Sequence, residues 1–471
     1  MADRALIIHG HFYQPPREDP LTGEIPIEPG SAPYRNWNER IHAQCYYPNA
    51  LLGNFAGISY NIGPTLLGWM FDYDPKTEAS IIEQDRVNLE TYGVGNAMAQ
   101  AYHHTILPLA PRHDKITQVR WGIADFELRF GHSPQGMWLP ETAADDETLE
   151  VLADCGIEYT ILAPWQADTP NLDASHPYRV DLPGGKEMVV FFYDQDLSTR
   201  VSFDPASTVN ADRFLSEFVM PKYTPEGESN GGAQLIMIAS DGELYGHHQP
   251  FRDKFLAYLR DGAVKNWPVE ITYPGLWLKM HAVPDSIRIR QRTSWSCHHG
   301  VLRWSGVCNC TPHSEWKQPF RQALDRLAEA IDAEYLKLIN GHLDDPWELR
   351  HQYIRVIHGE VGLAELFKRL TGRSVQGREL EQIHTMLRAQ YERQRMFTSC
   401  GWFFEDFERI EPRNCVAYAA QAVLLTRQAT GTDLSRLAET ELANVRSYRS
   451  GLRADAVFRK HLMRAADLWK E

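Results

Sequence analysis

Short apolar runs alternate with helical stretches over the first 290 residues, and this alternation constrains the fold more than any other feature of the sequence. Helical patterns follow several of the runs, as at 142–154 and 251–260. The runs are Ala5–Ile8, Ile58–Ile62, Gly136–Leu139, Tyr159–Leu162, Met188–Tyr193 and Leu235–Ala239. Strands separated by helices are typical of parallel sheets with right-handed crossovers. The pattern therefore predicts an α/β fold, either a barrel or an open sheet.

The pattern changes after about residue 312, where helical periodicity replaces the alternation. The helical stretches are Trp316–Leu338, Pro346–Leu370, Arg378–Phe397, Asn414–Ala429 and Leu434–Tyr448. We therefore predict a catalytic α/β domain at 1–290, a link rich in Trp, Cys and His at 291–314, and a helical domain at 315–471. Residues 15–40 and 222–232 have the composition of loops.

Composition excludes several classes of protein. Of the 471 residues, 43% are hydrophobic and 23% are charged, which is ordinary globular usage. The net charge of −14 argues against a nucleic-acid partner, because phosphate backbones attract basic surfaces. The chain lacks an apolar stretch of about 18 residues, so we expect no membrane span. Seven irregularly spaced cysteines suggest a reducing cytoplasm.

The first candidate for chemistry follows the apolar run that ends at Leu139. Pro140, which cannot donate to a sheet, precedes Glu141, and a helical stretch comes next. Active sites of parallel α/β folds form at the carboxyl ends of strands, so Glu141 stands where a catalytic carboxylate belongs. The structural alternative is a solvated glutamate near the start of a helix.

A second acidic motif follows the apolar run at 235–239. Asp241, Glu243 and a histidine pair beginning at His247 come directly after it. Ionisable groups beside a buried strand are costly unless they are paired or used. We predict Asp241 as an acid or base, and Glu243 and His247 as ligands of the substrate. The alternative is a turn in which Gly242 supplies the geometry.

Two carboxylates from different strand ends suit the hydrolysis of a glycosidic bond. One attacks the anomeric carbon or stabilises the cationic transition state, while the other protonates the leaving oxygen. The acid needs a raised pKa, which burial among aromatic rings supplies. His9 and His11 lie on one face of the first strand, and they are candidates to bind sugar hydroxyls or a metal. The alternative is two hydrogen-bonded histidines at a strand end.

Three motifs occur in order along the chain. They are His9-Gly10-His11 with Gln14-Pro15, Trp138-Leu139-Pro140-Glu141, and Asp241-Gly242-Glu243 with Gly246-His247. In this order and approximate spacing they resemble glycoside hydrolase family 57. Further similar segments are Asn61–Thr65, Ile106–Leu109, Phe130-Gly131 and Pro134–Trp138. The resemblance covers roughly residues 5–250, and Phe12 and Tyr13 depart from it by lengthening the first motif.

The resemblance implies an incomplete (β/α)7 barrel followed by an α-helical region. It implies a retaining mechanism on α-linked glucans, with Glu141 as nucleophile and Asp241 as acid and base. It places His9 and His11 at the sugar subsite near the nucleophile. Family members include amylases, glucanotransferases, branching enzymes and α-galactosidases, and most need no metal, so we expect no cofactor. The expected partner is an α-linked oligo- or polysaccharide, with the linkage and the choice between hydrolysis and transfer left open.

Two other functions fit parts of the sequence. In a metal-dependent polysaccharide deacetylase, His9, His11 and either Asp241 or His247 would bind a metal that activates water. The sequence lacks a clear second His-x-x-x-His ligand motif for that reading. The barrel could also bind carbohydrate without catalysis, although Glu141 and Asp241 are both present.

Aromatic residues beside polar motifs complete the predicted substrate-binding set. They are Trp138, Trp165, Trp304 and Trp402, and Arg200 joins them after the run at 188–193. Tryptophan at such positions suits stacking on sugar rings, and ordinary helix or core packing is the alternative.

The link between the two predicted domains is rich in metal-binding side chains. Cys297, His298, His299, Cys308 and Cys310 fall within fourteen residues. Zinc prefers four such ligands, but the spacing matches no standard zinc finger. A metal site, a disulfide and thiols packed in a loop therefore all remain open.

Overall fold

The computed structural model describes residues 4–224 and 232–468, so most of the loop predicted at 222–232 lies outside the described residues. The chain contacts separate two units. One holds Met1–Gln14, Ile27–Gln100 and Phe126–Trp295; the other holds Pro15–Pro26, Ala101–Asp125 and Ser296–Glu471. The boundary at Trp295 lies inside the predicted link. Sequence periodicity did not indicate that Pro15–Pro26 and Ala101–Asp125 belong to the second unit.

All strands of the described chain lie in the first unit. They are β1 (Arg4–Phe12), β2 (Ser59–Ile62), β3 (Ala97–Gln100), β4 (Met137–Trp138), β5 (Tyr159–Leu162), β6 (Tyr178–Leu182), β7 (Lys186–Phe192), β8 (Gln234–Asp241) and β9 (Glu270–Thr272). One sheet has the order β4-β3-β2-β1-β8, with β9 also paired to β1. A second sheet has the order β5-β7-β6, in which β6 is antiparallel to β7.

Parallel strands surround one apolar interior. A parallel bridge between Gly136 and Tyr159 joins β4 to β5. The backbone N–H of Asp194, just after β7, donates to the carbonyl of Met237 in the middle of β8 (2.7 Å). The interior takes side chains from β1, β3, β4, β5, β7 and β8. The structure therefore confirms the predicted α/β fold, an incomplete (β/α)7 barrel.

On β1 and β8, the side chains that face the barrel interior are apolar along most of the strand and become polar at its carboxyl end. Ala5 and Ile7 of β1 point into the apolar interior, and the same period of two continues to His9 and His11. On β8, alternation leads from Leu235, Met237 and Ala239 to Asp241. The two inward rows pair in register, with His9 opposite Ala239 and His11 opposite Asp241.

Helices of the first unit connect successive strands. They are Trp37–Ile41, Tyr47–Leu51, Pro64–Tyr73, Pro75–Tyr92, Asp146–Asp154, Gln195–Phe203, Ala211–Phe214, Arg252–Asp261 and Pro274–Met280, with Arg112–Phe130 running from the second unit into the first. The helix predicted from Thr142 begins four residues later, because the Asp145 side chain caps it by accepting from Thr148 N (2.9 Å).

The second unit is helical from Lys317 onward, which confirms the predicted helical C-terminal region. Its helices are Lys317–Ile339, Trp347–Gln352, Ile354–Ile357, Leu363–Thr371, Gly377–Arg395, Cys400–Phe403, Ile410–Thr430, Ser435–Leu442 and Ala454–Leu468. The stretch predicted as one helix from Pro346 is three helices, and the last helix was not predicted. Within residues 4–224 and 232–468, the model contains no helix with the length and apolar character needed to cross a bilayer.

A buried ionic cluster ties Ala101–Asp125 to the later helices of the second unit. The Asp114 carboxylate pairs with Arg350 (2.9 Å) and with Arg393, and it also accepts from Gln394 Nε2 (2.7 Å). Arg393 pairs in turn with Asp332 (2.6 Å). Removing one partner from such a cluster is costly because it leaves a buried charge uncompensated.

We predict that Asp114→Ala destabilises the protein by about 3–5 kcal/mol, because Arg350 and Arg393 stay buried without their shared carboxylate. Urea unfolding followed by circular dichroism measures the change. Glu83→Ala is the matched control, since it removes a solvent-exposed partner of Arg86 and should have a much smaller effect on stability. Equal effects of the two substitutions would contradict a structural role for the cluster.

Candidate active site

Asp241 stands at the last position of β8, beside His11 of β1. Its side chain keeps solvent-accessible surface, while the surrounding protein still removes much of the water that would stabilise its charge. This desolvation, and next to it the negative charge of Glu141, raise the Asp241 pKa to about 7. Asp241 is therefore a carboxyl group that keeps its proton up to about pH 7, where an ordinary aspartate has long been ionised.

The histidine pair is neutral and held by polar side chains of β2. His9 Nδ1 contacts Ser59 Oγ (2.9 Å), and His9 Nε2 contacts Asn61 Oδ1 (3.2 Å). His11 Nδ1 also lies within hydrogen-bond distance of the Asn61 amide. Burial lowers the pKa of each histidine to about 3, with the neighbouring His11 adding to the effect on His9. His9 is completely buried and His11 is 6% exposed, so His11 is the outer member of the pair.

An aromatic cluster lies against the two imidazole rings. Trp138 stacks on His9 and His11, with ring centroids 4.8 and 4.9 Å apart. Trp295 meets the edge of Trp138 at 5.0 Å and lies 6.2 Å from His11. Trp138 itself is completely buried, so it packs against the histidines and has no ring face exposed to solvent.

Glu141 sits on a strained turn directly after β4. Its φ is 58°, and φ of the next residue, Thr142, is 48°. Both values fall in the left-handed region, which costs about 1–3 kcal/mol per residue for side chains other than glycine. Trp295 holds Glu141 at both ends: its backbone N–H donates to the Glu141 carbonyl (3.0 Å), and its indole Nε1 donates to the carboxylate Oε2 (3.0 Å).

Gln166 holds the strained turn in place. Its Oε1 accepts from Thr142 Oγ1 (2.8 Å) and from Ala163 N (2.9 Å), while its Nε2 donates to the Thr142 carbonyl (2.8 Å) and to the Thr293 carbonyl (3.2 Å). Gln166 is completely buried. One amide therefore connects the turn that carries Glu141 with the segment that carries Trp295, and Gln166 is a positioning residue.

Glu243 is held as a buried anchor of the Asp241 loop. Its carboxylate accepts from Gln14 Nε2 (2.8 Å) and from Tyr46 Oη (2.9 Å). Tyr46 belongs to a π-helical turn, His42–Tyr46, where Gln44 Oε1 lies 2.6 Å from His247 Nδ1. These contacts fix the loop that follows β8. A direct contact of Glu243 or His247 with substrate stays a prediction.

Trp165 and Arg200 lie after β5 and β7, as expected for residues near the carboxyl end of the barrel. Trp165 is half-buried, and its Nε1 donates to the Ser294 carbonyl (3.0 Å), next to Trp295 in the chain. Arg200 pairs with Asp196 (3.0 Å) and lies over the ring of Phe218. Its contacts thus belong to the surface of the helix Gln195–Phe203, and its role in substrate binding stays a prediction.

Trp304 and Trp402 differ from their predicted role in sugar stacking. Both belong to the second unit, and each is 1% exposed. Trp402 packs on Phe320, with ring centroids 4.8 Å apart. Burial leaves neither indole with an accessible face, so we assign both to the interior of the second unit. The sequence pattern of aromatic residues beside acids did not distinguish packing from binding.

The metal-dependent alternative has no support from this geometry. In the part of the chain that the model describes, the one group of metal-capable side chains close enough to share an ion includes neither histidine of β1 nor Asp241. His9 uses both ring nitrogens in contacts with Ser59 and Asn61, which leaves no nitrogen for a metal.

Several residues of the site had no predicted role. Asn61 orients both histidines, Tyr46 and Gln14 hold Glu243, and Gln166 supports the turn. Asn61 and Gln14 lie inside motifs that the sequence singled out. No local pattern marks Gln166 or Tyr46, because their partners are distant in sequence.

Two segments of the chain match two different models of known protein families. Residues 75–288 match the model of glycosyl hydrolase family 57, and residues 313–466 match a domain of unknown function, DUF3536. An alpha-amylase of Pyrococcus horikoshii is 25% identical over 281 residues, which is 56% of this chain and 38% of that protein. A 4-alpha-glucanotransferase of Thermococcus litoralis is 22% identical over 44% of this chain and 30% of its own length. The chain thus spans well under half the length of these relatives.

Solved structures share the fold over nearly the whole chain. An exo-type maltose-forming amylase from Pyrococcus sp. ST04 has a TM-score of 0.77 at 15% identity, covering 98% of this chain and 88% of that chain. A branching enzyme of the same family from Pyrococcus horikoshii has a TM-score of 0.62 at 14% identity, covering 98% and 94%. At these identities the likeness concerns the fold alone.

We predict that Asp241→Asn stabilises the protein increasingly as the pH rises from about 4 to about 7. In this range the folded Asp241 keeps a proton that the unfolded chain has released, so the native carboxyl lowers stability as the pH rises. Asparagine removes this penalty. The difference in Tm between variant and wild type, measured from pH 4 to pH 8, should grow and then level off above pH 7.

The same pH series on Asp181→Asn, an exposed residue of β6, controls for the loss of one surface charge. If the Asp241→Asn difference in Tm stayed constant across the series, Asp241 would have the pKa of an ordinary aspartate.

Proposed function

We propose that this chain, whose residues 75–288 match the model of glycosyl hydrolase family 57, cleaves or transfers α-glycosidic bonds of glucans by a retaining mechanism. The proposed substrates are α-linked oligo- and polysaccharides. The named relatives, an alpha-amylase and a 4-alpha-glucanotransferase, support this substrate class. All seven cysteines are free thiols, which supports a location in the reducing cytoplasm.

One observation carries the proposal: Glu141 and Asp241 stand after two strands of one barrel, and the charge of Glu141 helps to keep the Asp241 proton in place. A pair of carboxyl groups with separated pKa values supplies one acid and one anion at the same pH. This is the requirement of glycoside hydrolysis, in which the acid protonates the leaving oxygen while the anion attacks the anomeric carbon.

In the first step, Asp241 donates its proton to the glycosidic oxygen. Glu141 attacks the anomeric carbon, and the bond to the leaving group breaks as a covalent glycosyl ester forms. Trp295 Nε1 donates to Glu141 Oε2 and so orients the carboxylate. The strained turn presents Glu141 in one conformation, because Trp295 and Gln166 fix the backbone on either side of it.

In the second step, Asp241 acts as a base. The ester at Glu141 carries no negative charge, so the repulsion that helps to raise the Asp241 pKa disappears when the intermediate forms. The Asp241 pKa therefore falls as its role changes from donor to acceptor. Asp241 then takes a proton from water, or from an acceptor sugar, as that oxygen attacks the anomeric carbon; the bond between this carbon and Glu141 breaks, and Glu141 leaves as a carboxylate. Water gives hydrolysis, and a sugar hydroxyl gives transfer.

His11 and the aromatic rings around it supply the wall of the sugar subsite. His11 keeps some exposure at the end of the inward row, and Trp295 and Trp165 are half-buried, so part of each ring faces solvent. Aromatic faces of this kind suit the apolar C–H surface of a pyranose ring. His9 and Trp138, which are fully buried, act by holding His11 in place.

We predict that the protein converts maltooligosaccharides, and that Glu141→Gln abolishes this turnover because the amide cannot form the ester. Chromatography of the products reads the outcome: shorter sugars alone indicate hydrolysis, and longer sugars beside them indicate transfer. Glu147→Gln, a surface substitution on the helix Asp146–Asp154, is the matched control and should keep full activity. Full activity of Glu141→Gln would overturn the assignment of the nucleophile.

A second prediction concerns pH. The first step needs a protonated Asp241, so kcat/KM should fall above about pH 7, by about tenfold per pH unit in the simplest case. Initial rates at low substrate concentration between pH 5 and pH 9 measure this limb. A kcat/KM that rises up to pH 9 would exclude Asp241 as the acid.

A further inference from the structure

A compact cluster of thiols and one imidazole lies in the second unit. Its members are Cys297, His299, Cys308 and Cys310, and their four ligand atoms all lie within 4.8 Å of one another. Cys297 Sγ is 3.4 Å from Cys308 Sγ, and His299 Nδ1 is 3.3 Å from the Sγ atoms of both Cys308 and Cys310. The cluster falls between the two segments that match family models, 75–288 and 313–466.

These distances suit a tetrahedral metal ion. Zinc binds thiolates at about 2.3 Å and imidazole at about 2.0–2.1 Å, so neighbouring ligand atoms of a tetrahedral site are roughly 3.5–3.8 Å apart. The contacts of 3.3–3.4 Å are close to that spacing. A disulfide would need the Cys297 and Cys308 sulfurs at about 2.05 Å, and both thiols are free.

Backbone donors point at two of the sulfurs. The backbone N–H of His298 donates to the Cys310 sulfur, and the backbone N–H of Cys310 donates to the Cys308 sulfur. Donors of this kind orient the ligands of a metal. Cys297 and Cys308 are buried, while His299 is exposed, so the site is closed on one side and reachable from solvent on the other.

A buried cation completes the charge balance. Lys317 is fully buried, and its ammonium group has no hydrogen-bond partner among the described residues. The Arg303 guanidinium repels this charge, while the thiols of Cys308 and Cys297 and the Glu405 carboxylate attract it. A Zn²⁺ ion with three thiolates and one neutral imidazole carries a net charge of −1, which favours a cation beside it. The otherwise costly burial of Lys317 is thus explained if the cluster holds a metal.

We propose that Cys297, His299, Cys308 and Cys310 bind one structural zinc ion in the second unit. The ion would join the segment that begins at Ser296 to residues 308–310, just before the helix Lys317–Ile339. All four positions are filled by protein side chains, so no position is open for water or substrate. The site therefore stabilises the fold and takes no part in the proposed reaction.

The full-length protein, purified without chelators, tests the proposal by metal analysis. We expect about one zinc per chain by mass spectrometry, and an X-ray absorption spectrum that fits three sulfurs and one nitrogen. His299→Ala changes an exposed ligand and should lower zinc affinity by at least about tenfold without unfolding the chain. His298→Ala, the adjacent exposed histidine, is the matched control and should keep the zinc.

Lys317→Met provides an independent measurement. Removing the balancing charge should weaken zinc binding by about 10- to 100-fold in competition with a chromophoric chelator. The proposal is overturned by a zinc-loaded protein that retains no metal after gel filtration, or by a Cys297–Cys308 disulfide in the peptide map. Equal zinc affinity of His299→Ala and His298→Ala would also overturn it. None of these readouts depends on glycosidase activity.

Discussion

Parallel pairing between β1 and β8 determines the position of nearly every group at the proposed active site. The ladder brings two inward-facing rows into register, so that His11 meets Asp241 at the edge where the apolar interior ends. Both faces of β1 and β8 are buried, so a slip of one residue would turn the histidines of β1 toward the outer face of the sheet and away from their partners on β2. The cost of burying these rings without hydrogen bonds favours the observed register, and the register places the acid beside the imidazole. The position of the proposed catalytic groups therefore depends on how β1 and β8 pack in the barrel interior.

Much of this arrangement could be predicted from the sequence. Uninterrupted apolar runs marked β1, β5 and β8, because strands buried on both faces carry few polar residues. Glu141 and Asp241 were identified since each follows such a run directly. β3 was missed because Ala97–Gln100 is short and ends in a polar residue, and β9 was missed because its three residues include an exposed glutamate.

Other features depend on contacts between distant residues, which periodicity does not encode. Gln166 meets Thr293 across 127 positions, and Tyr46 meets Glu243 across 197. The left-handed backbone at Glu141 has no glycine to mark it, since the surrounding hydrogen bonds impose it. Trp402 was interpreted as a binding residue from neighbouring acids, but a helix that packs aromatic rings inward has the same local sequence. Local sequence patterns thus identified the proposed reacting carboxyl groups, but they missed the residues that hold the site in place by hydrogen bonds.

The second unit is built from three separate segments of the chain, and this has a consequence for its folding during synthesis on the ribosome. Residues 101–125 belong to this unit, yet they are made long before the helices after Ser296 that surround Asp114. At about 5–20 residues per second, roughly 20 to 70 s separate residue 125 from residue 468. During this interval the carboxylate of Asp114 has neither of its arginine partners. The amino-terminal strands can pair early, but the second unit forms only after the helices that follow Ser296 have been made.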